Sequence, residues 1–492
     1  MMALDTTSQK PSTRNYFAAA LALFIVMSAW SVSSPLGSGP DADFHISNIW
    51  CAWGEKPDVC ENLDRTSTKN SARIPHMFLM CDGRPIEHLP RCEFDVAHEE
   101  MSTYRTAGNS QMNMYYRIMR VFVVDSPTRS IITMRLFSSF VAAGMFFLLM
   151  LQTRARTRHA FLAAWSFVLV PVAINYFAAV NPRGWATLGV MSGWGFLQSL
   201  FETDRSDNKR RIGLIASFIA SFALVATSRA DATLFFVFIS ALIVIGNLLA
   251  QNNFSRKIIM RYGLVLLGAV LLVQFVPVLR NLIKMEQPQG YSLRQYIVFQ
   301  IVHIPETIGD VWGYTVGQSG SGPGILGIIG LSLFAVAIAF ALQRASRLQQ
   351  CMVAAISLFT CIAVYRGGLA VGGILPPTGV YVIGLVSAIM GIAVLFSTHN
   401  QQLMSSRGNR SSVIALLSVA HVLAFYSWMD FHTRRGKNVG FFEKFSLRDA
   451  WWWGRETNPN MVFFIGTIFF PVFLVFAWKN VNDSAPTESL AP

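Results

Sequence analysis

Long apolar runs separated by short polar breaks dominate the chain. A helix needs about 20 mostly apolar residues to cross the hydrocarbon core of a bilayer. Runs of that kind fall at about residues 17–34, 130–151, 160–179, 184–201, 212–227, 231–250, 258–279, 322–342, 350–365, 374–396, 412–430 and 461–479. The pattern predicts an all-α fold, a polytopic transmembrane helix bundle of about 12 spans, with both termini on one side. The polar intervals divide the chain into an N-terminus with its first span (1–34), a long outer loop (35–129), spans two to seven (130–279), a second outer loop (280–321), spans eight to eleven (322–430), a basic, Trp-rich outer loop (431–460) and a last span with its tail (461–492). The long loops follow spans one, seven and eleven without the symmetric spacing that a transporter built from repeats would show.

Composition fits this picture: of 492 residues 53% are hydrophobic and 14% charged, which argues against a soluble globular chain. With 40 Lys and Arg against 27 Asp and Glu the net charge is +13. In a soluble protein that surplus would suggest nucleic acid, but here it gathers in short loops: Lys10 and Arg14; Arg154, Arg156 and Arg158; Arg205, Lys209, Arg210 and Arg211; Arg256, Lys257 and Arg261; Arg344 and Arg347; Arg407 and Arg410. Basic, acid-poor loops mark the cytoplasmic side, so both termini are expected there, and no nucleic-acid partner is expected. A basic start followed by a moderate apolar run leaves a cleaved signal peptide as the lesser alternative for span one. The chain contains no Walker loop or CxxC pair.

Four of six cysteines, Cys51, Cys60, Cys81 and Cys92, fall in the first outer loop, where disulfides are stable. Three connectivities exist, and two local bridges, Cys51 to Cys60 and Cys81 to Cys92, are favoured; zinc is the weaker reading because the spacings are not finger-like. Cys351 and Cys361 in the ninth span are expected to be buried small apolar residues.

Candidate chemistry lies on the outer side. Asp41, Asp43 and His45 emerge together after the first span, as a general base or ligands for a divalent cation such as Mg or Mn; capping of a helix by either acid is the structural alternative. Asn181-Pro182-Arg183 ends the third span, and Ser228-Arg229-Ala230-Asp231 joins the fifth to the sixth almost without a loop. Arg183, Arg229 and Arg366 end otherwise apolar helices, where a guanidinium costs a few kcal/mol unless paired. Three on one face suggest a phosphate or pyrophosphate site, and an Arg229–Asp231 salt bridge is the competing explanation for that pair. Arg135 is a further ionisable residue near an outer helix end. The last outer loop adds Arg434, Arg435 and Lys437, then Trp451, Trp452 and Trp453, an interfacial belt or a sugar platform. The middle loop, with Tyr291, His303, Glu306, Asp310 and Trp312, is expected to lie on the membrane surface as a short helix over the site.

These residues carry a resemblance to a bacterial membrane family, domain of unknown function 2142. Its members open with Pro-Asp-Glu-x-x-His after the first span; this chain reads Pro40-Asp41-Ala42-Asp43-Phe44-His45. Ala42 replaces the second acid, which leaves Asp41 as the favoured carboxylate and Asp43 as the alternative. The chain is similar to the family also at Asn181-Pro182, at Ser228-Arg229 and before Trp451, whereas Gly372-Gly373-Ile374-Leu375-Pro376 stands where the family has Arg-Tyr before Leu-Pro. The Cys51 to Cys60 segment resembles the actinobacterial branch.

The resemblance implies a GT-C-like architecture in a bacterial plasma membrane and an inverting transfer of sugar from a polyprenyl-phosphate donor to a cell-envelope glycan or glycolipid on the extracytoplasmic face. Asp41 or Asp43 would deprotonate the acceptor, and the arginines would hold the phosphate. A transporter or flippase of lipid-linked glycans, or a non-catalytic scaffold for envelope assembly, are the competing classes.

Overall fold

The computed structural model describes residues 13–34, 36, 41–64, 70–75, 101–106, 113–250, 298, 301–302, 304–312, 325–343, 345–370, 382–395, 407–433 and 458–479. The expected span at 258–279, most of the loop at 280–321, Cys81 and Cys92, and the basic and tryptophan-rich segment carrying Arg434, Arg435, Trp451, Trp452 and Trp453 lie outside the described residues.

Helix α1 (Thr13–Val32) leads to a short helix α2 (Ala42–Trp50), three strands, β1 (Glu61–Asp64), β2 (Ser71–Pro75) and β3 (Met101–Arg105), and a short helix α3 (Met114–Arg120). Then follow α4 (Pro127–Gln152), α5 (Ala155–Val168), α6 (Ile174–Phe177), α7 (Pro182–Glu202), α8 (Asn208–Ser228) and α9 (Ala230–Ala250). The remainder comprises α10 (Ile304–Gly309), α11 (Ile325–Gln343), α12 (Arg347–Ala370), α13 (Ile383–Leu395), α14 (Arg407–Thr433) and α15 (Pro459–Lys479). Among the described residues, seven helices (α1, α4, α8, α9, α12, α14 and α15) contain a stretch long and apolar enough to cross a membrane, and the bent pair α5–α6 makes an eighth. This is a multi-pass helical membrane protein.

Helix α7 is buried around most of its circumference, and small residues permit this. A methyl carbon on Gly189 would lie 2.5 Å from the carbonyl oxygen of Ser221 on α8, so glycine sets the approach of the two helices.

Three expectations need correction. The first outer loop, expected from its cysteines to be a disulfide-braced segment with no core of its own, has one: β1, β2 and β3 form an antiparallel sheet in that order, with Ser71 opposite Arg105 and Pro75 opposite Met101. In β2, Ala72 and Ile74 alternate inward, onto a small core with Ile46, Ile49 and Trp50 of α2 and Tyr115, Tyr116 and Met119 of α3. Cys51 and Cys60 are bonded between α2 and β1. Of the two cysteines of α12, Cys361 is half-buried and Cys351 is exposed, so that helix turns one thiol outward instead of burying both.

The third expected span is broken. Five residues, Leu169–Ala173, form a π-helical turn, and the axis bends by 85°. Pro171 has no N–H to offer the carbonyl of Phe167 four residues back. The indole N–H of Trp312 donates to that carbonyl instead, at 2.8 Å, and its ring packs on Phe167 and Phe334. The segment carrying α10 and Trp312 is thus packed against the break and against α11. Replacing Trp312 by Phe keeps the ring contacts but removes the donor from a half-buried carbonyl, a loss of about 1 kcal/mol. A lower melting temperature in detergent for Trp312→Phe checks this, and an unchanged one would mean that the carbonyl is satisfied otherwise.

Arginines do much of the work at helix C-termini, where carbonyls lack intrahelical donors and the dipole favours a cation. Arg210 donates to the carbonyls of Gln152 and Thr153 at the end of α4 (2.8 and 3.1 Å), and Arg156 donates to that of Leu395 at the end of α13 (2.7 Å). Arg158 reaches the Thr153 carbonyl and the Tyr16 hydroxyl (2.5 and 2.6 Å). At the other end of α1, Arg135 donates to the carbonyls of Ser31, Ser34 and Leu36 (2.8, 3.0 and 3.0 Å). A charge that looks costly inside a span is thereby satisfied, and it pins the stretch leading to Asp41.

Candidate functional site

The site forms where α2, β3, α3, α7 and the α8–α9 junction meet. Asp41 opens α2 in a left-handed conformation, φ 53° and ψ 27°. Its carbonyl accepts the His45 N–H at 2.9 Å, but its carboxylate makes no capping bond. The carboxylate turns outward to two arginines: Oδ1 lies 3.1 Å from Nη2 of Arg105, and Oδ2 lies 3.8 Å from Nη2 of Arg183. Capping by Asp41, the structural alternative, is therefore not its role. A non-glycine residue with positive φ is uncommon and costs about 1–3 kcal/mol, and such residues cluster at functional sites.

Each arginine reaches the site by local structure. Arg105 ends β3, and its carbonyl accepts the Ser47 hydroxyl at 2.6 Å, fastening the sheet to α2. Arg183 stands in the first turn of α7, which begins at Pro182 and is capped by Asn181, whose Oδ1 accepts the Arg183 N–H at 2.9 Å. Proline at the first helical position and an Asn cap explain why α7 starts there. Arg229 is the single residue between α8 and α9. Its Nε and Nη2 donate to the two oxygens of Asp231 at 2.9 and 3.0 Å, a bidentate pair, and Asp231 Oδ1 also accepts the Ala232 N–H at 3.0 Å.

Arg183, Arg229 and Asp231 form the polar wall of a small, open cleft. Ala186, Val190, Ala232, Phe235 and Gly384 line its other walls, with Thr187. Gly384 keeps it open at α13: a methyl carbon there would lie 2.6 Å from Val190. Among the described side chains, three guanidiniums (Arg105, Arg183, Arg229) face two carboxylates (Asp41, Asp231), an excess of one positive charge. The N-termini of α7 and α9 add their dipoles at the same place.

Tyr116 on α3 is buried beside this cluster, with its hydroxyl 2.9 Å from Nδ1 of His45. Burial pushes its phenol well above the usual tyrosine range, against the opposing pull of Arg229 and Arg183, so it stays neutral.

Of the residues expected from the sequence, Asp41, Arg183, Arg229 and Asp231 are brought together. His45 is buried behind them, and Asn181 is a buried cap. Ser228 is buried, with its hydroxyl unpartnered among the described residues. The backbones of Asp43 and Arg366 lie in α2 and α12; their side chains are outside the described residues. The Asp41 carboxylate faces two guanidiniums, and the His45 imidazole engages Tyr116. Among the described residues no group of three or more His, Cys, Asp or Glu could hold a metal ion. Sequence reasoning missed Arg105, Tyr116 and Gly384.

The stretch 24–318, more than half of the chain, matches the family described as "Predicted membrane protein (DUF2142)". The chain belongs to this family. No curated protein and no solved structure matches it. In this DUF2142 protein every residue of the cluster described above except Gly384 falls inside the matched stretch. The family region thus holds both the carboxylate at the exit of α1 and the cations at the starts of α7 and α9.

Proposed function

We propose that this DUF2142 protein is a GT-C-type glycosyltransferase of a bacterial plasma membrane, with both termini cytoplasmic, that moves a sugar from a polyprenyl phosphate to a cell-envelope glycan or glycolipid. One observation carries the reading: the Asp41 carboxylate approaches Arg183, one of the two cations that line a cleft with apolar sides. A sugar phosphodiester has one negative charge, which the single excess positive charge of the cluster matches. The apolar side walls suit the isoprenoid next to the phosphate, and a lipid-borne donor needs no nucleotide motif.

In this reading Asp41 takes the proton of the acceptor hydroxyl as its oxygen attacks the anomeric carbon. The bond from that carbon to the phosphate oxygen breaks, with inversion, and the polyprenyl phosphate leaves with a second negative charge. Arg183 and Arg229 stabilise this charge. Asp231 keeps Arg229 aimed, and Arg105 orients the carboxylate while Oδ2 keeps its looser position for the acceptor. Asp43 is the alternative base. No step is routed through a metal.

The reading is tested by extracting lipids from protein purified in mild detergent. Mass spectrometry is expected to find polyprenyl monophosphate or its glycoside with the wild type and a several-fold loss with Arg183→Ala; extracts free of both would remove the donor assignment. Sidedness is checked with single cysteines at Ser206 and Arg117 in a background lacking Cys351 and Cys361. A membrane-impermeant maleimide should label the Arg117 position on intact cells and the Ser206 position only after permeabilisation. The reverse pattern would put the site in the cytoplasm and exclude an outer acceptor.

A further inference from the structure

Helix α3 is only seven residues long, yet it contacts both halves of the site. On one side the Tyr116 hydroxyl meets His45 Nδ1, one helical turn beyond Asp41, and the His45 N–H closes the first turn of α2 on the Asp41 carbonyl. On the other side, two residues before Tyr115, Asn113 caps α3 through the Tyr115 N–H at 3.0 Å, and its side-chain amide donates to the carbonyl of Ser228 at 3.5 Å, directly before Arg229. The ring of Tyr115 packs edge-on against Trp185, two residues after Arg183.

We propose that α3 is a strap that sets the distance between the carboxylate and the cations, and that Tyr116, through His45, is the positioning residue for Asp41. Chemistry supports the assignment. The left-handed Asp41 is strained, and a turn of one strained residue keeps its place only if its surroundings hold it. His45 and Tyr116 supply that hold, and the phenol, neutral between Arg183, Arg229 and Asp41, does so without adding a charge to the cluster. Both rings are buried, so the hydrogen bond is sheltered from water.

The inference rests on the glycosyltransferase reading for its kinetic arm and not for its structural arm. The full chain in lipid nanodiscs is assayed for transfer from a polyprenyl-phosphate sugar, and hydrogen exchange is followed at the His45 amide. Tyr116→Phe keeps the ring and removes the hydroxyl. A misplacement of the base by an ångström costs on the order of 100-fold, so kcat should drop by about that factor, with the donor KM within about twofold because Arg183 and Arg229 still bind. The His45 amide should exchange faster, while amides in α15 are unaffected. His45→Asn, which keeps a polar group near the phenol, should retain more activity than His45→Ala. Unchanged kcat, or unchanged exchange at His45, would overturn the proposal. A donor KM that rises in step with the loss of kcat would do so too, because it would place Tyr116 on the donor. If the wild type transfers no sugar, the glycosyltransferase reading fails, and the exchange arm alone decides the strap: equal protection in wild type and Tyr116→Phe overturns it.

Discussion

Asp41→Asn is expected to abolish sugar transfer while the protein folds and binds its lipid donor as before. The amide is nearly isosteric with the carboxylate, and its oxygen can still accept from Arg105, so the contact that fastens β3 to α2 survives. It cannot accept a proton, and a positioned general base is worth about 10²–10⁴ in rate. Charge sharpens the expectation. With Asp41 neutral, three guanidiniums face Asp231 alone, so an anionic donor should bind at least as tightly as to the wild type. Loss of kcat with equal or better donor affinity is a signature that misfolding cannot imitate. Kinetics with separately measured donor binding checks it. If Asp41→Asn turns over normally and Asp43→Asn does not, the base is Asp43; normal turnover in both removes the mechanism.

Arg229→Ala has the second large effect, on binding. Its bidentate partner Asp231 is about one-third exposed, and removing the guanidinium leaves that carboxylate facing the phosphate. Truncating one partner of a hydrogen-bonded charge pair costs about 2–5 kcal/mol in the systems where it has been measured, part of it from the orphaned partner. The exposure of this pair to solvent argues for the lower end of that range. A drop of on the order of 30-fold in affinity for a short polyprenyl phosphate analogue is therefore expected, because 1.4 kcal/mol is about tenfold. The double variant Arg229→Ala with Asp231→Asn should recover part of the loss by removing the repulsion. Titration calorimetry checks the series, and no recovery would mean that Asp231 contributes to binding in its own right.

How far the site could be read from the sequence depended on how local its causes are. Arg183, Arg229 and Asp231 were legible because a charge at the end of an apolar run is costly and therefore conspicuous. Asp41 was legible for the same reason, together with its place after α1. Its partners were not. Arg105 is 64 residues away and reaches Asp41 only because β3 pairs with β2, a sheet hidden in a long polar loop whose strands are only four or five residues long. Tyr116 sits in a short helix with no strong apolar period, and its importance comes from meeting His45 across 71 residues. Gly384 is one of 35 glycines, and only the approach of α7 to α13 singles it out. The break in α5–α6 shows the reverse error. Pro171 was visible inside an apolar run, but an uninterrupted span was the simpler reading, and nothing in the sequence pointed to Trp312 as the donor replacing the lost N–H.

The central claim is that the carboxylate and the cationic cleft together transfer a sugar from a lipid phosphate. Its most direct measurement is an assay of the purified protein in nanodiscs with a radiolabelled polyprenyl-phosphate sugar and an envelope glycan acceptor, comparing wild type with Asp41→Asn and Arg183→Ala. The wild type is expected to transfer label to the acceptor with release of polyprenyl phosphate, and neither variant to do so under the same conditions. Donor that binds to the wild type and is returned unchanged, across the sugars and acceptors of the envelope, would contradict it and leave the cleft as a site for carrying lipid-linked glycans.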